Sequence, residues 1–425
     1  MGGGLLQLVA YGAQDVYLTG NPQITFFIAV YRRHTNFAIE AIQQTFNGSP
    51  GFGSRVTCTI ARNGDLIHRV YLALDLSTLT SKDLCKFFGL RLIKDVEVEI
   101  GGQRIDKHYS HWMYIWNELS LPISKKQGYY DMVGAYGGKP GTDMEKSLYI
   151  PLEFWFCRNV GLALPLISLQ YHEVKINLNF ETATKCKGAS ATDFSSSSFG
   201  ASLWVDYIFL DTDERKRFAQ LSHEYLIEQV QYNGPESFTT AQIKPKLTFN
   251  HPCKELYWFV STDDSTQDVA NNNWMNYTTQ TSTSKLALAD KSIAAITKKL
   301  AATPRGVPST TDSTSKNPTM KAKLVLNGNE RFAERNGTYF NLVQPYQHHE
   351  NIPLNAGLNV YSFALKPEEH QPSGTLNMSR IDSAALHLTL DNTLATAAKS
   401  YLHVYAVNYN VLRIMSGMGG IAYSN

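Results

Sequence analysis

Charge is scarce in this chain. Of its 425 residues only 18% are charged, below the roughly 25% usual for soluble domains, and the net charge is +2. That balance excludes a basic field able to neutralise many phosphates, so no direct nucleic-acid partner is expected. It also leaves much neutral surface that is able to pack. Cysteine is sparse: Cys58, Cys85, Cys157, Cys186 and Cys253 are odd in number, widely spaced and never in CxxC spacing. A zinc or iron–sulfur centre is therefore not expected, and reduced thiols in an intracellular setting are. Long apolar runs are missing as well. The longest, Ile24 to Tyr31, falls far short of the roughly 20 residues a membrane helix needs. Met1-Gly2-Gly3-Gly4-Leu5-Leu6 shows no basic region leading into an apolar stretch, and Leu6 stands where a myristoylation pattern needs Ser or Thr. The expectation is a chain that is not secreted and has no transmembrane segment.

Catalytic patterns are lacking too. No HExxH, GxxxxGK[ST] or GxSxG motif occurs. His108 and His111 are three apart and His348-His349-Glu350 forms a second cluster, but a metal enzyme needs three convergent ligands with an open position. Loop histidines making surface or interface hydrogen bonds are the simpler reading. The carboxylate pairs Asp263-Asp264 and Glu368-Glu369 sit in polar stretches, with nothing to mark a cleft. Neither an enzyme nor a cofactor is expected.

What is present is a long-range echo. Ile42-Gln43-Gln44-Thr45-Phe46-Asn47-Gly48 is echoed by Val230-Gln231-Tyr232-Asn233-Gly234. The stretch Glu99 to Arg104 is echoed by Val325 to Arg331, Leu166 to Phe180 by Leu376 to Leu390, and Leu203-Trp204-Val205 by Leu402-His403-Val404. The echoes keep their order and lie roughly 190 to 230 residues apart, too far for a solenoid. One domain-sized unit is used twice. Within it, period-two alternation dominates: Val96, Val98 and Ile100; Val174, Ile176, Leu178 and Phe180; Leu386, Leu388 and Leu390. Each set reads as a strand with one face on a core. Gly101-Gly102 and Asn327-Gly328 supply the positive φ that tight primed hairpin turns demand. Many short strands in two units predict an all-β chain of paired β-sandwiches, of which the jelly roll is the commonest eight-stranded form.

Helical signal is weaker. Asp211 to Gln220 opens with Asp211 and Glu214 and closes on Lys216 and Arg217, which suits a short helix between the copies. His111 to Leu119 carries Trp112, Ile115, Trp116 and Leu119 on one side and predicts another. Residues 261 to 320 are rich in Ser, Thr, Asn and Pro, with a surface helix expected over Leu286 to Leu300. The first copy has no counterpart of that length, so an outward-facing surface excursion is expected. Asn-x-Ser/Thr triplets begin at Asn47, Asn276, Asn336 and Asn377. Asn276 and Asn336 are the candidate glycosylation sites, whereas Asn47 and Asn377 fall in strand motifs.

Several stretches are specific enough to carry a family resemblance. Gln7-Leu8-Val9-Ala10-Tyr11-Gly12-Ala13-Gln14-Asp15-Val16-Tyr17-Leu18-Thr19-Gly20-Asn21-Pro22, Gly161-Leu162-Ala163-Leu164-Pro165-Leu166-Ile167, Val205-Asp206-Tyr207-Ile208-Phe209-Leu210-Asp211 and Asn408-Tyr409-Asn410-Val411-Leu412-Arg413-Ile414-Met415-Ser416-Gly417-Met418-Gly419-Gly420 are examples. The chain resembles, from end to end, the major capsid proteins of nucleocytoplasmic large DNA viruses, with the algal-virus branch nearest.

The resemblance implies two tandem eight-stranded jelly rolls (a double jelly roll) with short connecting helices, and a homotrimeric capsomer of near-hexagonal outline. It further implies an icosahedral shell of neighbouring capsomers, minor capsid proteins beneath, and an internal viral membrane close by. Assembly in the cytoplasm of an infected cell follows from the same resemblance. The expected layout is an N-terminal arm over 1–25, a first jelly roll over 26–211, a linker helix over 212–224, a second jelly roll over 225–415 and a tail over 416–425. Leu5, Leu6, Leu8 and Val9 give the arm an apolar character with no core of its own, so they are the candidate assembly residues. Two other readings stay open. One is a minor or vertex capsid protein of the same fold. The other is a carbohydrate-binding jelly-roll module in which Trp274, expected in an exposed loop, stacks on sugar.

Overall fold

The computed structural model of the chain describes residues 3–23, 29, 31–188, 197–262, 274–275, 277–279, 317–392 and 400–423. Met1–Phe37 and Ala38–Asn425 form two compact units. In the first, helix α1 spans Gly3–Val9, a short turn of helix spans Val16–Thr19, and neither buries a residue.

The second unit is built from strands. β1 (Phe37–Gln44), β2 (Arg55–Thr59), β3 (Leu66–Asp75), β4 (Ile93–Ile100), β5 (Gln103–Tyr109), β6 (Ser147–Leu152), β7 (Val174–Phe180) and β8 (Gly200–Leu210) make the first sandwich. One sheet runs β1-β8-β3-β6 and the other β2-β7-β4-β5. Eight more follow: β9 (His223–Tyr232), β10 (Gln242–Ile243), β11 (Pro252–Thr262), β12 (Thr319–Leu326), β13 (Asn329–Glu330), β14 (Asn359–Ser362), β15 (Ala384–Leu390) and β16 (Ser400–Met415). Their sheets run β9-β16-β11-β14 and β10-β15-β12-β13. Adding eight to each label of the first sandwich gives the second, so both are jelly rolls of one topology. Every sequence echo falls on matching elements. Ile42 and Val230 lie on β1 and β9, and the two glycine-tipped hairpins are β4–β5 and β12–β13. Leu203 and Leu402 lie on β8 and β16.

Between β5 and β6 lie helices α2 (Ser110–Ser120) and α3 (Ile123–Val133); between the sandwiches lies α4 (Thr212–Gln220), whose N-cap Asp211 accepts from the Thr212 amide. The matching β13–β14 connection holds a π-helical turn over Tyr339–Val343 that runs into α5 (Gln344–His348). Sequence reading places α2 and α4 but misses α3. It also expects one apolar side on α2, whereas Met113, Tyr114, Asn117 and Glu118 are buried as well as Trp112, Ile115, Trp116 and Leu119. A helix buried all round must lie between two packed layers.

The segment after β16 is not a loose tail. Met418–Ile421 forms β17, antiparallel to β16, with Met415 opposite Met418. It also reaches the first sandwich, where the Tyr171 amide donates to Gly417 O at 3.0 Å and the Ile421 amide to Gln103 Oε1 at 3.1 Å.

Candidate functional site

The seam between the two sandwiches is where most chemistry-bearing residues meet. Strand β11 carries the run Leu256-Tyr257-Trp258-Phe259-Val260, apolar without alternation, and such a run marks a strand buried on both faces. Leu256, Trp258 and Val260 fill the second sandwich, together with Leu402 and Ala406 of β16. Tyr257, Phe259 and Tyr405 point the other way and join the core of the first sandwich. Helix α2 covers them: the Trp112 ring meets Tyr257 at 5.2 Å, and His111 meets Phe259 at 5.2 Å and His403 at 5.5 Å. Phe259 and His403 are cross-strand partners, stacked at 4.7 Å. At the edge of the seam β5 meets β9, where the Val230 amide donates to Asp106 Oδ1 at 3.0 Å.

Ionisable groups line the same seam. Arg158 Nη1 lies 2.8 Å and Lys254 Nζ 2.6 Å from the two oxygens of Glu228. The Arg158 guanidinium also stands 3.9 Å over the Trp116 ring, and Lys254 Nζ donates to Pro367 O at 2.6 Å. Burial pulls the Lys254 pKa below its ordinary value, against the opposing pull of Glu228. His349 is held on both ring nitrogens, by Glu255 at 2.6 Å and Glu368 at 2.7 Å, and the Tyr257 hydroxyl donates to Glu255. Burial works against the imidazolium, but Glu255 and Glu368 outweigh it and raise the His349 pKa to about 9. Each charge has an opposite partner, as buried charges require.

This placement corrects the expectation that the histidine clusters are surface loops. His349 is sealed in an ion network, and His108 is buried between Asp106 at 2.9 Å and the Phe154 ring at 4.5 Å. His111 faces the Tyr277 hydroxyl at 2.7 Å. Among the described residues no group of three His, Cys, Asp or Glu could hold a metal ion. All five cysteines are free and buried, and burial pushes the Cys58 thiol up to about 11 and Cys253 to about 12.

Leu5, Leu6, Leu8 and Val9 share helix α1 and are exposed, Leu8 by 78%. Asn336 is exposed, with its Oδ1 accepting from the Thr338 amide and hydroxyl. Asn276 and the helix suggested over Leu286 to Leu300 lie outside the described residues. Trp274 overturns the sugar-stacking expectation: it is buried, its indole N–H donates to Lys86 O at 2.7 Å, and Arg91 stands 5.2 Å from its ring. An aromatic ring held inside a core offers no platform to solvent.

Sequence reading missed the Glu228–Lys254–Arg158 and Glu255–His349–Glu368 sets. One signal was present: Lys254-Glu255 interrupts an otherwise apolar buried strand, and charges there need partners.

Comparison with known proteins agrees with this architecture. The profile described as "Large eukaryotic DNA virus major capsid protein" matches residues 214–420, and "Major capsid protein N-terminus" matches residues 25–211. The major capsid protein of Pyramimonas orientalis virus is 52% identical, and that of Paramecium bursaria Chlorella virus 1 is 47% identical, each over 100% of both chains. A crystal structure of the PBCV-1 protein VP54 is 40% identical with a TM-score of 0.76, covering 94% of this chain and 100% of that one. The Faustovirus major capsid protein, 14% identical over 95% of this chain and 94% of that one, shares the fold with a TM-score of 0.72. Two sandwiches of one topology, fused along a buried seam and matched end to end by these relatives, place the chain in the large eukaryotic DNA virus major capsid protein family.

Proposed function

We propose that this major capsid protein works as a homotrimer whose six sandwiches give a near-hexagonal tile. The observation that carries the reading is the repeated strand order of two sandwiches joined through one buried seam. A trimer of single sandwiches is three-cornered, but a trimer of paired, nearly equivalent sandwiches can fill a hexagonal lattice. Contacts within the tile bury roughly 2,000 Å² or more, as permanent interfaces do, and contacts between neighbouring tiles are smaller.

Minor capsid proteins and a viral membrane are the partners expected on the inner side. Helix α1 supports a role for the arm in reaching them, since Leu5, Leu6, Leu8 and Val9 are apolar and exposed. Residues 26–211 and 225–415 serve as the two tile corners, joined by 212–224. The role is structural, without catalysis, and assembly takes place in the host cytoplasm. Asn276 and Asn336 are the positions for any glycan, which mass spectrometry of peptides from virions reads directly.

Sedimentation of the purified full chain at micromolar concentration tests the reading. A species of three chains, seen as hexagonal discs in negative stain, is expected; a stable monomer sinks it.

A further inference from the structure

The seam inside the chain has two sides, and each has an unused twin. On one side stands the outer face of the sheet β9-β16-β11-β14. Its Phe259–His403 pair is covered by α2, and Phe259 is 0% exposed. The twin face belongs to the sheet β1-β8-β3-β6. There Tyr71 lies opposite Trp204, and the flanking pairs match: Leu72 opposite Leu203 and Val70 opposite Val205, as Val260 is opposite Leu402 and Trp258 opposite Val404. Tyr71 and Trp204 therefore occupy the Phe259 and His403 positions, and their rings are stacked at 6.5 Å with planes 2° apart. Among the described residues no helix stacks on these two rings as α2 stacks on Phe259 and His403. Both rings are half-exposed, Tyr149 beside them is 45% exposed, and a groove of about 710 Å³ opens beside Tyr71 and Tyr149, walled by Pro151, Asp206, Trp116 of α2 and Met132 of α3.

On the other side stands the helical connection that follows the fifth strand of each sandwich. In the first sandwich it is α2, whose consecutive His111 and Trp112 enter the seam. In the second it is the turn and helix over Tyr339–His348. Its consecutive Leu342 and Val343 are exposed, and Tyr346, one turn on, is 75% exposed. Leu342, Val343 and Tyr346 form one apolar helix stripe. Among the described residues, one chain thus offers a sheet face without its helix and a helix without its sheet face.

We infer that the outer face around Tyr71, Tyr149 and Trp204 is a docking surface for a second copy of this chain, and that Leu342, Val343 and Tyr346 of that copy fill it. The inference rests on the trimeric reading above and deepens it by naming the seam. The contact joins two different patches, so it either closes a ring or runs into a filament. If each step repeats the step inside the chain, six sandwiches from three chains close the ring. Asp206, two residues beyond Trp204, stands where the second sandwich has Tyr405, two residues beyond His403. The seam between chains is accordingly more polar than the seam within one, as fits a contact made after each chain has folded.

The test uses the full chain. Tyr346→Lys and Trp204→Lys are each sedimented across a dilution series beside the unmodified protein, with thermal unfolding as the folding control. Expected is at least a tenfold rise in the concentration needed for trimers, with unfolding unchanged. A photoreactive benzophenone amino acid is also placed at position 346. Mixing it with isotope-labelled chains identifies neighbours, and its crosslinks should map to β3, β6 or β8 of another copy. Trimers that persist in both lysine variants, or crosslinks that map elsewhere, overturn the inference and leave the trimer standing. If a lysine variant misfolds, the crosslink map decides. A monomeric unmodified chain overturns the trimeric reading itself.

Discussion

His349 has a carboxylate on each ring nitrogen and no access to water. A neutral imidazole has only one N–H to donate, so the doubly protonated form is the one that satisfies both Glu255 and Glu368. The pKa is raised from 6.5 to about 9 in the fold. The sign follows from linkage: the stabilisation is fully present below pH 6.5 and is lost as pH rises through about 9. Its size is on the order of 3 kcal/mol, since each tenfold gain in proton affinity is worth about 1.4 kcal/mol. Denaturant titrations from pH 6 to 9.5 should therefore show unfolding free energy falling across that window. His349→Gln should flatten the slope and lower stability at pH 6 by about 3–5 kcal/mol, because the buried Glu255 and the half-buried Glu368 lose their counter-charge. A flat profile for the unmodified protein would contradict the assignment. Lys254-Glu255 inside an apolar strand signals that partners are needed, but not which ones, since Glu255, His349 and Glu368 are brought together only by the packing of β11 against two separate loops.

At the scale of elements, three hairpins share one turn chemistry. Gly101-Gly102 closes β4–β5 and Asn327-Gly328 closes β12–β13, each with positive φ at both positions. Both were legible because the residue pairs are the strongest hairpin signals known. Ser416-Gly417, with φ of 51° and 80°, closes β16–β17 in the same way, yet the glycines that follow made it read as a tail. What separates tail from strand is contact with the first sandwich, which no local pattern carries. Gly417→Val tests this: its side chain would meet Tyr171 at 2.6 Å in a backbone region that valine avoids. The cost should be about 1–3 kcal/mol. Hydrogen exchange at the Ile421 amide should speed up while β11 stays protected, and equal exchange in both proteins would show β17 to be held by other means. The arm poses the opposite case, an element whose apolar residues are exposed along a short helix. Removing residues 1–20 should leave trimers intact on sedimentation and impair shell assembly, and undiminished shells would exclude the arm from assembly.

At the scale of the whole molecule, alternation revealed strands with one wet face, and the long-range echo revealed that the unit is doubled. The seam stayed hidden because its strand and its helix are buried on every side, and periodicity has nothing to report there. Yet the seam decides how the chain behaves as a body. Trp112 is fully buried and touches Tyr257 and Tyr405 of the second sandwich, so its packing belongs to both sandwiches at once. Trp112→Ala should cost about 3–5 kcal/mol, the usual range for a large aromatic removed from a core. Trp112→Phe should cost much less than the alanine change, because among the described residues the indole N–H has no hydrogen-bond partner to lose. Calorimetry of the unmodified chain should give one cooperative transition for both sandwiches, with the alanine variant shifting it down or splitting it. Two well-separated transitions in the unmodified protein would mean that the sandwiches fold as independent bodies. One transition would mean that a tile corner cannot loosen without its neighbour, and a shell built from such tiles gains its rigidity inside each chain before any chain meets another.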